Sequence, residues 1–171
     1  SGGMIVMDED NCMVSVAQFY LEFTVGESCG KCVPCRIGNK RMLEILHRIT
    51  DGEGTMDDLK MLKEMGGIIK DTALCGLGQT SPNPVLSTLD NFYDEYVEHV
   101  RQKKCRAHQC KPLVTYCISP ELCIGCHLCA KNCPADAIIG QPRRPHIINP
   151  EKCVRCGMCM SQCRHNAISI R

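Results

Sequence analysis

Two stretches decide the fold of the C-terminal part: ELCIGCHLCAKNCP at 121–134 and EKCVRCGMCMSQCR at 151–164. Each has four cysteines in the order C-x₂-C-x₂-C-x₃-C, and the second stretch repeats the first 30 residues later. Thiolates are soft ligands, and a tight triplet followed by a fourth cysteine is typical of iron–sulfur binding. The eight cysteines are Cys123, Cys126, Cys129, Cys133, Cys153, Cys156, Cys159 and Cys163.

The spacing of these cysteines is that of the bacterial two-cluster ferredoxins, in which the fourth cysteine of each run binds the other cluster. The predicted ligand sets are therefore crossed. One cluster is expected on Cys123, Cys126, Cys129 and Cys163, and the other on Cys133, Cys153, Cys156 and Cys159. Flanking apolar segments predict two strand pairs, 113–118 with 167–170 and 137–139 with 146–148. Pro134 follows the first run but Arg164 follows the second, so we expect the two clusters to differ in potential.

Composition limits the class of protein. The 171 residues include 16 Cys but no Trp and only three Phe, so aromatic core material is scarce. Nine of the cysteines form three tight triplets that cannot pair off as disulfides, and no signal peptide is evident, so we expect a reducing cytoplasm. A net charge of +1 gives no argument for nucleic acid, and no apolar run is long enough to span a membrane.

The N-terminal hundred residues predict four short amphipathic helices. Apolar residues at helical spacing place the first over 13–24, with Val16, Phe19, Tyr20 and Phe23 as its stripe, and the second through 42–49. Thr55 and Asp58 resemble a capping box that opens a helix to about residue 69, and Ser81-Pro82 opens one to about residue 100. A bundle of such helices has a modest core, which a metal site could reinforce.

A third cysteine triplet lies between the first two predicted helices. The sequence ESCGKCVPCRIG at 27–38 contains Cys29, Cys32 and Cys35, and the next cysteine is Cys75 in DTALCGLGQTSPNP at 71–84. Three thiolates on a bent loop plus one remote thiolate predict a single [4Fe–4S] cluster. The alternative is a Cys₄ zinc knuckle, which usually has two C-x₂-C pairs.

Four cysteines remain after these twelve. Cys105, Cys110 and Cys117 lie close together in the sequence with His99 and His108 beside them, which predicts a Cys₃His zinc site. The fourth ligand is expected to be His99, with His108 as the alternative. The remaining Cys12 is expected to pack in the core. In the competing interpretation, all of these cysteines are small buried hydrophobic residues.

The motifs at 27–38 and 71–84, with RMLEIL at 41–46 between them, closely resemble the C-terminal helical domain of the NADH-binding flavoprotein subunit of respiratory NADH dehydrogenase. The resemblance covers residues 1 to about 100. It implies that the cluster on Cys29, Cys32, Cys35 and Cys75 takes electrons from FMN that NADH reduces. An added two-cluster ferredoxin domain is similar to the flavoprotein (β) subunit of multimeric NAD(P)-linked [FeFe] hydrogenases, including electron-bifurcating ones. NAD-linked formate dehydrogenases are related.

The resemblance also implies partners and further cofactors. We expect FMN and NAD(P) in upstream domains that this chain lacks, a catalytic hydrogenase or dehydrogenase subunit, a small [2Fe–2S] subunit, and ferredoxin. The chain begins Ser1-Gly2-Gly3, and the apolar residues 4–7 resemble a strand taken from a sheet, so we interpret the chain as part of a longer protein.

The predicted fold class is α+β, in four segments. Residues 1–12 are a remnant of an upstream domain, 13–98 a four-helix bundle with one [4Fe–4S] cluster, 99–118 a zinc-binding linker, and 119–171 a 2[4Fe–4S] ferredoxin-like domain. With no acid, base or nucleophile arrangement evident, we predict an electron-transfer segment without catalytic residues of its own. Three other classes remain open: a zinc-knuckle nucleic-acid binder, a zinc-stabilised binding module without redox function, and a purely structural iron–sulfur module.

Overall fold

The computed structural model describes residues 4–170 and divides into two compact units, which meet in the sequence at Leu113 and Val114. The first unit is helical and the second combines short strands with short helices. The predicted linker 99–118 does not form a segment of its own, because its residues up to Leu113 belong to the first unit and the rest to the second.

The segment before the first helix has no regular structure over Met4–Met7, and these four apolar side chains are exposed. The strand expected at 4–7 is therefore not formed. Residues 1–3, on which the interpretation as part of a longer protein also rested, lie outside the described residues.

Six α-helices build the first unit. Their bounds are α1 Met13–Gly26, α2 Asn39–Thr50, α3 Met56–Thr72, α4 Gly76–Thr80, α5 Asn83–Asn91 and α6 Tyr93–Val97. π-Helical turns at Pro34–Gly38 and Glu98–Gln102 and a 3₁₀ turn at Lys111–Leu113 complete the unit. Helix α1 packs on α2 and α5, and α3 packs on the same two helices.

Helices α2 and α3 follow the sequence pattern closely. All four stripe residues of α2 are fully or almost fully buried, namely Met42, Ile45, Leu46 and Ile49. The capping box at the start of α3 forms as expected: the Thr55 Oγ1 accepts a hydrogen bond from the Asp58 N–H, and the Asp58 carboxylate accepts one from the Thr55 N–H at 2.8 Å.

Helix α1 buries a different face from the one its aromatic residues suggest. Val14, Ala17 and Leu21 are completely buried, whereas Phe19 and Phe23 are more than 60% exposed, at 65% and 62%. Small and medium side chains at i, i+3 and i+7 allow α1 to lie close to α2 and α5, which large aromatic rings would prevent. The helix was predicted correctly, and the aromatic stripe is not its core face.

The fourth predicted helix, 82–100, is interrupted. Phe92 has φ −128° and ψ 36°, so helix α5 ends there and the shorter α6 begins after it. Within α6, the ring of Tyr96 is fully buried, and its hydroxyl lies 2.8 Å from the Thr88 hydroxyl of α5. This hydrogen bond joins the two pieces and gives the buried phenol a partner.

The second unit contains two antiparallel strand pairs and two helices. Strand β1 Tyr116–Ile118 pairs with β4 Ile168–Ile170, and β2 Ile138–Ile139 pairs with β3 Ile147–Ile148. Helices α7 Leu128–Lys131 and α8 Met158–Gln162 each begin next to the third cysteine of a run. Both predicted strand pairs form, in shorter versions, and Leu113 lies in the 3₁₀ turn instead of β1. The fold class is α+β.

In the described part of the chain, 4–170, no helix combines the length and the apolar character that crossing a membrane requires.

Candidate metal centres

Two cavities in the second unit are lined by the eight cysteines of the repeated runs. The first has Cys123, Cys126, Cys129 and Cys163 in its lining. The second has Cys133, Cys153, Cys156 and Cys159 in its lining. These are the two crossed sets that the spacing predicts. None of the sixteen cysteines, all of which lie within residues 4–170, forms a disulfide.

The loops around both cavities share a backbone device. Each triplet places two residues in the left-handed region, Gly125 and His127 in the first and Arg155 and Gly157 in the second, with φ between 55° and 76°. Alternating left-handed residues curl a loop so that successive N–H groups point inward, which favours a negatively charged cluster. The backbone conformation of each triplet thus gives its cysteines a concave site.

The fourth cysteine of each run accepts a matching backbone hydrogen bond. The Ala137 N–H donates to Cys133 Sγ and the Ala167 N–H to Cys163 Sγ, both at 3.3 Å. Burial raises the pKa of the Cys129 and Cys159 thiols, which disfavours bare thiolates there. A bound metal would supply the positive charge that keeps these sulfurs deprotonated.

In the first unit, Cys29, Cys32, Cys35 and Cys75 lie on two neighbouring segments. Cys35 is in the π-helical turn Pro34–Gly38, and Cys75 is the N-cap of α4, which packs on that turn. The backbone N–H of Leu74, next to Cys75, and that of Cys35 lower the pKa of the Cys32 thiol. Cys32 and Cys35 of the triplet therefore lie close to the segment that contains Cys75.

Cys35 is the most enclosed thiol of this set. Its sulfur lies 3.2 Å from the Ser28 hydroxyl and 3.5 Å from the amide nitrogen of Asn39. Asn39 is itself fully buried, and its amide oxygen accepts a hydrogen bond from Ser81 at 2.9 Å. This chain of hydrogen bonds connects the site to Ser81 at the end of α4, and polar donors at a cluster sulfur are a means of tuning its potential.

A fourth group of ligands is Cys12, His99, Cys105 and Cys110, all buried, with ligand atoms within 4.8 Å of one another. The Cys12 and Cys110 sulfurs are 3.8 Å apart, and His99 Nε2 lies 3.3 Å and 3.5 Å from them. Tetrahedral Zn²⁺, with Zn–S of about 2.3 Å and Zn–N of about 2.0 Å, requires separations of about 3.8 Å and 3.5 Å. The residues present therefore fit zinc.

The imidazole of His99 is oriented for metal binding. Its Nδ1 lies 2.7 Å from the Glu95 carbonyl oxygen, so Nδ1 carries the proton and Nε2 faces the three sulfurs. Burial opposes protonation of His99, but Cys105 and Cys12 outweigh it and raise the pKa of His99 to about 10. Hydrogen bonds from Cys110 and Cys12 lower the pKa of Cys105. Without metal, the group would thus hold an imidazolium beside a thiolate, and a divalent cation would displace that proton.

This group differs from the predicted one by one residue. The predicted ligand Cys117 lies in β1 of the second unit, opposite Ser169, and Cys12 takes its place in the group. The alternative His108 is exposed on a loop and is not a member. Cys12 is the N-cap of α1, and its sulfur accepts a hydrogen bond from the Ser15 N–H. The sequence offered one signal for Cys12 as a ligand: it is a cysteine outside every cluster motif, at the position where a helix begins.

Part of the basic run at 101–111 has partners within the first unit. Arg106 forms ion pairs with Asp94 and Glu98, both at 2.7 Å. Lys103 donates a hydrogen bond to the Gly54 carbonyl. These two side chains attach the segment that contains Cys105 and Cys110 to the rest of the first unit. Their role is therefore structural.

Three ranges of the chain match models of known protein families. Residues 15–99 match the family model for the NADH-ubiquinone oxidoreductase-F iron-sulfur binding region, and residues 116–139 and 146–169 each match the 4Fe-4S binding domain. The fold and the sites thus define an iron–sulfur protein.

Individual relatives are longer than this chain. The NADP-reducing hydrogenase subunit HndC of Solidesulfovibrio fructosivorans is 62% identical over 85% of this chain, and the match spans 30% of that protein. The β subunit of an NADP(+)-dependent formate dehydrogenase of Moorella thermoacetica is 41% identical over 54% of the chain, spanning 13% of that protein. A crystal structure of an NAD⁺-reducing [NiFe]-hydrogenase superposes with a TM-score of 0.54 and 27% identity, covering 56% of this chain and 16% of the other.

The resemblance drawn from the sequence is therefore confirmed. The chain carries the iron–sulfur binding region of NADH-ubiquinone oxidoreductase F subunits, followed by two 4Fe-4S binding motifs. It spans less than a third of the length of each of these relatives.

Proposed function

We propose that the chain is an electron-transfer segment of an NAD(P)H- and flavin-linked oxidoreductase. Three [4Fe–4S] clusters relay electrons between FMN and a partner that is a hydrogenase subunit or a ferredoxin. The observation that carries the proposal is the lining of the two cavities of the second unit, which includes the eight cysteines of the repeated runs in two sets of four. Several clusters in one chain suit conduction, whereas a structural role needs only one.

The first cluster is assigned to Cys29, Cys32, Cys35 and Cys75 and exchanges electrons with FMN. The two clusters of the second unit use the crossed sets. The protein residues hold and tune the clusters, which supply the one-electron chemistry. We assign FMN and NAD(P) to other parts of a longer protein, in a cytoplasmic complex with a catalytic subunit and a small [2Fe–2S] subunit. Electron bifurcation is part of this proposal, as is the absence of nucleic acid among the partners.

Zinc is proposed for Cys12, His99, Cys105 and Cys110. Zn²⁺ is redox-inert and tetrahedral, which suits a buried structural site. The four ligands come from the residue before α1, the π-helical turn after α6, and the segment that follows it. Zinc would therefore fasten the two ends of the helical unit to each other.

The proposed function is tested by metal analysis of the chain purified without oxygen, together with electron paramagnetic resonance after reduction. We expect about twelve Fe and about one Zn per chain, with signals of interacting [4Fe–4S] clusters. A colourless protein with zinc alone would overturn the electron-transfer proposal in favour of a zinc-stabilised binding module.

A second candidate is the corresponding subunit of an NAD-linked formate dehydrogenase or an NADH dehydrogenase-like complex. The similarity to the formate dehydrogenase β subunit of Moorella thermoacetica favours it. Purification of the natural complex distinguishes the candidates. Hydrogen would reduce the clusters of a hydrogenase complex, whereas formate would reduce those of a formate dehydrogenase complex.

A further inference from the structure

The loop between β2 and β3, residues 141–145, packs directly on the first cluster-binding loop. The Arg143 N–H donates to the Gly125 carbonyl at 2.9 Å. A Cβ atom added to Gly125 would lie only 2.5 Å from the Arg144 carbonyl oxygen. Gly125 is next to Cys126, which lines the first cavity, so this loop follows the rim of that cavity.

A pair of histidines, one buried and one half-buried, also joins these two loops. His127, between Cys126 and Cys129, has its Nδ1 2.8 Å from Nε2 of His146, which is only 2% exposed. The other ring nitrogen of His146 lies 3.1 Å from the Arg144 carbonyl oxygen. His146 therefore bridges the cluster loop and the loop 141–145.

This arrangement presents two arginines to solvent at the rim. Arg143 and Arg144 are exposed, and within the described residues neither forms an ion pair. Arg143 also adopts φ 65°, a left-handed conformation that a residue with a side chain rarely takes. Pro142 and Pro145 restrict the backbone on both sides. The guanidinium groups thus project from a rigid support.

The two halves of the unit differ in the charged side chains that lie near their cysteines. The residue equivalent to Gly125 in the second run is Arg155, whose side chain is engaged with the Val114 carbonyl at 3.0 Å. A further exposed arginine, Arg164, follows Cys163 of the first cavity, where the other run has Pro134. Glu121 is the acidic residue that lies within a few positions of a cysteine of the first set. Asp136 and Glu151 lie within a few positions of cysteines of the second set. Lys131, which lies between Cys129 and Cys133, and Lys152 are matched in number by Asp136 and Glu151, so net positive charge is concentrated at the first cavity.

We propose that Arg143 and Arg144 form the docking surface for a small acidic electron-transfer protein, which exchanges electrons with the cluster on Cys123, Cys126, Cys129 and Cys163. The inference rests on the proposed function and deepens it by naming which cluster faces the mobile carrier. The step is a one-electron transfer: the cluster is oxidised as the carrier is reduced, or the reverse. Complementary charge accelerates such encounters and makes them sensitive to salt.

The experiment uses the cluster-loaded chain with both arginines changed, Arg143→Gln and Arg144→Gln. The pre-reduced protein is mixed in a stopped-flow instrument with an acidic flavodoxin, whose semiquinone absorbs apart from iron–sulfur clusters. We expect the second-order rate to fall about ten-fold at low ionic strength and to become less dependent on salt. A variant with Lys131→Gln and Lys152→Gln, which removes the same charge from exposed positions outside the loop 141–145, is expected to change the rate less than about two-fold.

A neutral benzoquinone serves as the second acceptor, because its encounter with the protein does not depend on surface charge. Its reduction rate is expected to be the same in all variants. Equal losses for the arginine and lysine variants, or an equal loss with benzoquinone, would overturn the docking surface. An unchanged flavodoxin rate would also overturn it, and failure of that variant to assemble with the catalytic subunit would then assign the two arginines to the subunit interface. Failure of the unmodified chain to reduce either acceptor would refute the proposed function itself.

Discussion

Cys12 precedes His99 by 87 residues, yet their ligand atoms are 3.3 Å apart. The N-terminus of α1 and the start of the π-helical turn after α6 converge, so a residue with no neighbouring motif becomes a candidate metal ligand. Cys117, which has the right neighbours in the sequence, belongs to a strand of the other unit. Position in the sequence favours Cys117 as the ligand, whereas position in the fold favours Cys12.

The first prediction concerns this pair. Cys12→Ser should lower the zinc content from about one per chain to a small fraction, because a hydroxyl is a poor zinc ligand. Serine preserves the helix cap, so the effect isolates metal binding. Cys117→Ser, measured in the same way by metal analysis and thermal unfolding, should keep its zinc. Zinc loss in the Cys117 variant alone would restore the original ligand set.

At the scale of the element, the capping box of α3 carries a buried carboxylate. Burial tends to raise the pKa of Asp58, but Arg48 and Thr55 together hold that pKa below its ordinary value of 3.8. A depressed pKa means that the charged form is preferred in the folded state. Its stabilising contribution is complete above pH 3.8 and is lost as the pH falls through the lower, folded-state pKa.

The second prediction follows from the lowered pKa of Asp58. Asp58→Asn should lower the free energy of unfolding by about 1 kcal/mol at pH 7, the usual effect of losing a helix cap. The difference in melting temperature between variant and parent should stay constant down to about pH 5, because the carboxylate remains charged throughout. A difference that shrinks within this range would contradict the depressed pKa. Asp57→Asn, at an exposed side chain, should change stability by less than about 0.5 kcal/mol.

The third prediction concerns the contact between α4 and the cysteine triplet. A Cβ atom at Gly78 would lie 2.7 Å from the Ala73 Cβ and 3.2 Å from the Cys35 Cβ, whereas one at Gly76 meets nothing within 4 Å. Gly78→Ala should therefore displace α4 and reduce the iron content by up to about four Fe per chain. Gly76→Ala, in the same helix, should retain its iron. Equal iron contents in the two variants would show that α4 need not approach Cys35 closely.

At the scale of the whole molecule, each half of the ferredoxin-like unit contributes a cysteine to the cavity of the other half. Each cavity receives three cysteines from one run and one from the other. Its apolar core is small, with Ile138 and Ile168 as the buried strand residues beside Cys129 and Cys159. Bound clusters would therefore contribute directly to folding, as metals do in other small domains.

The fourth prediction tests the crossing by pairs of substitutions. Cys123→Ser with Cys163→Ser affects one cavity only, so about eight Fe should remain per chain. Cys123→Ser with Cys133→Ser affects both cavities, so only about four Fe should remain. If each run bound its own cluster, the two iron contents would be exchanged. Iron analysis of both variants, purified without oxygen, decides between the arrangements.

The sequence by itself determined whatever depends on local spacing. The cysteine runs, the α2 stripe and the Thr55–Asp58 capping box are set by contacts between residues only a few positions apart. Turn geometry and helical periodicity constrain such contacts directly. The strand pairs were also predictable, because the repeat places an apolar segment at corresponding positions of each half.

The tertiary structure decided what depends on the meeting of distant segments. It selected Cys12 over Cys117, exposed Phe19 and Phe23 of α1, and divided the last helix at Phe92. It also placed Arg143 on Gly125. In each case several local choices have similar energies, and close packing against a remote element determines which one is adopted.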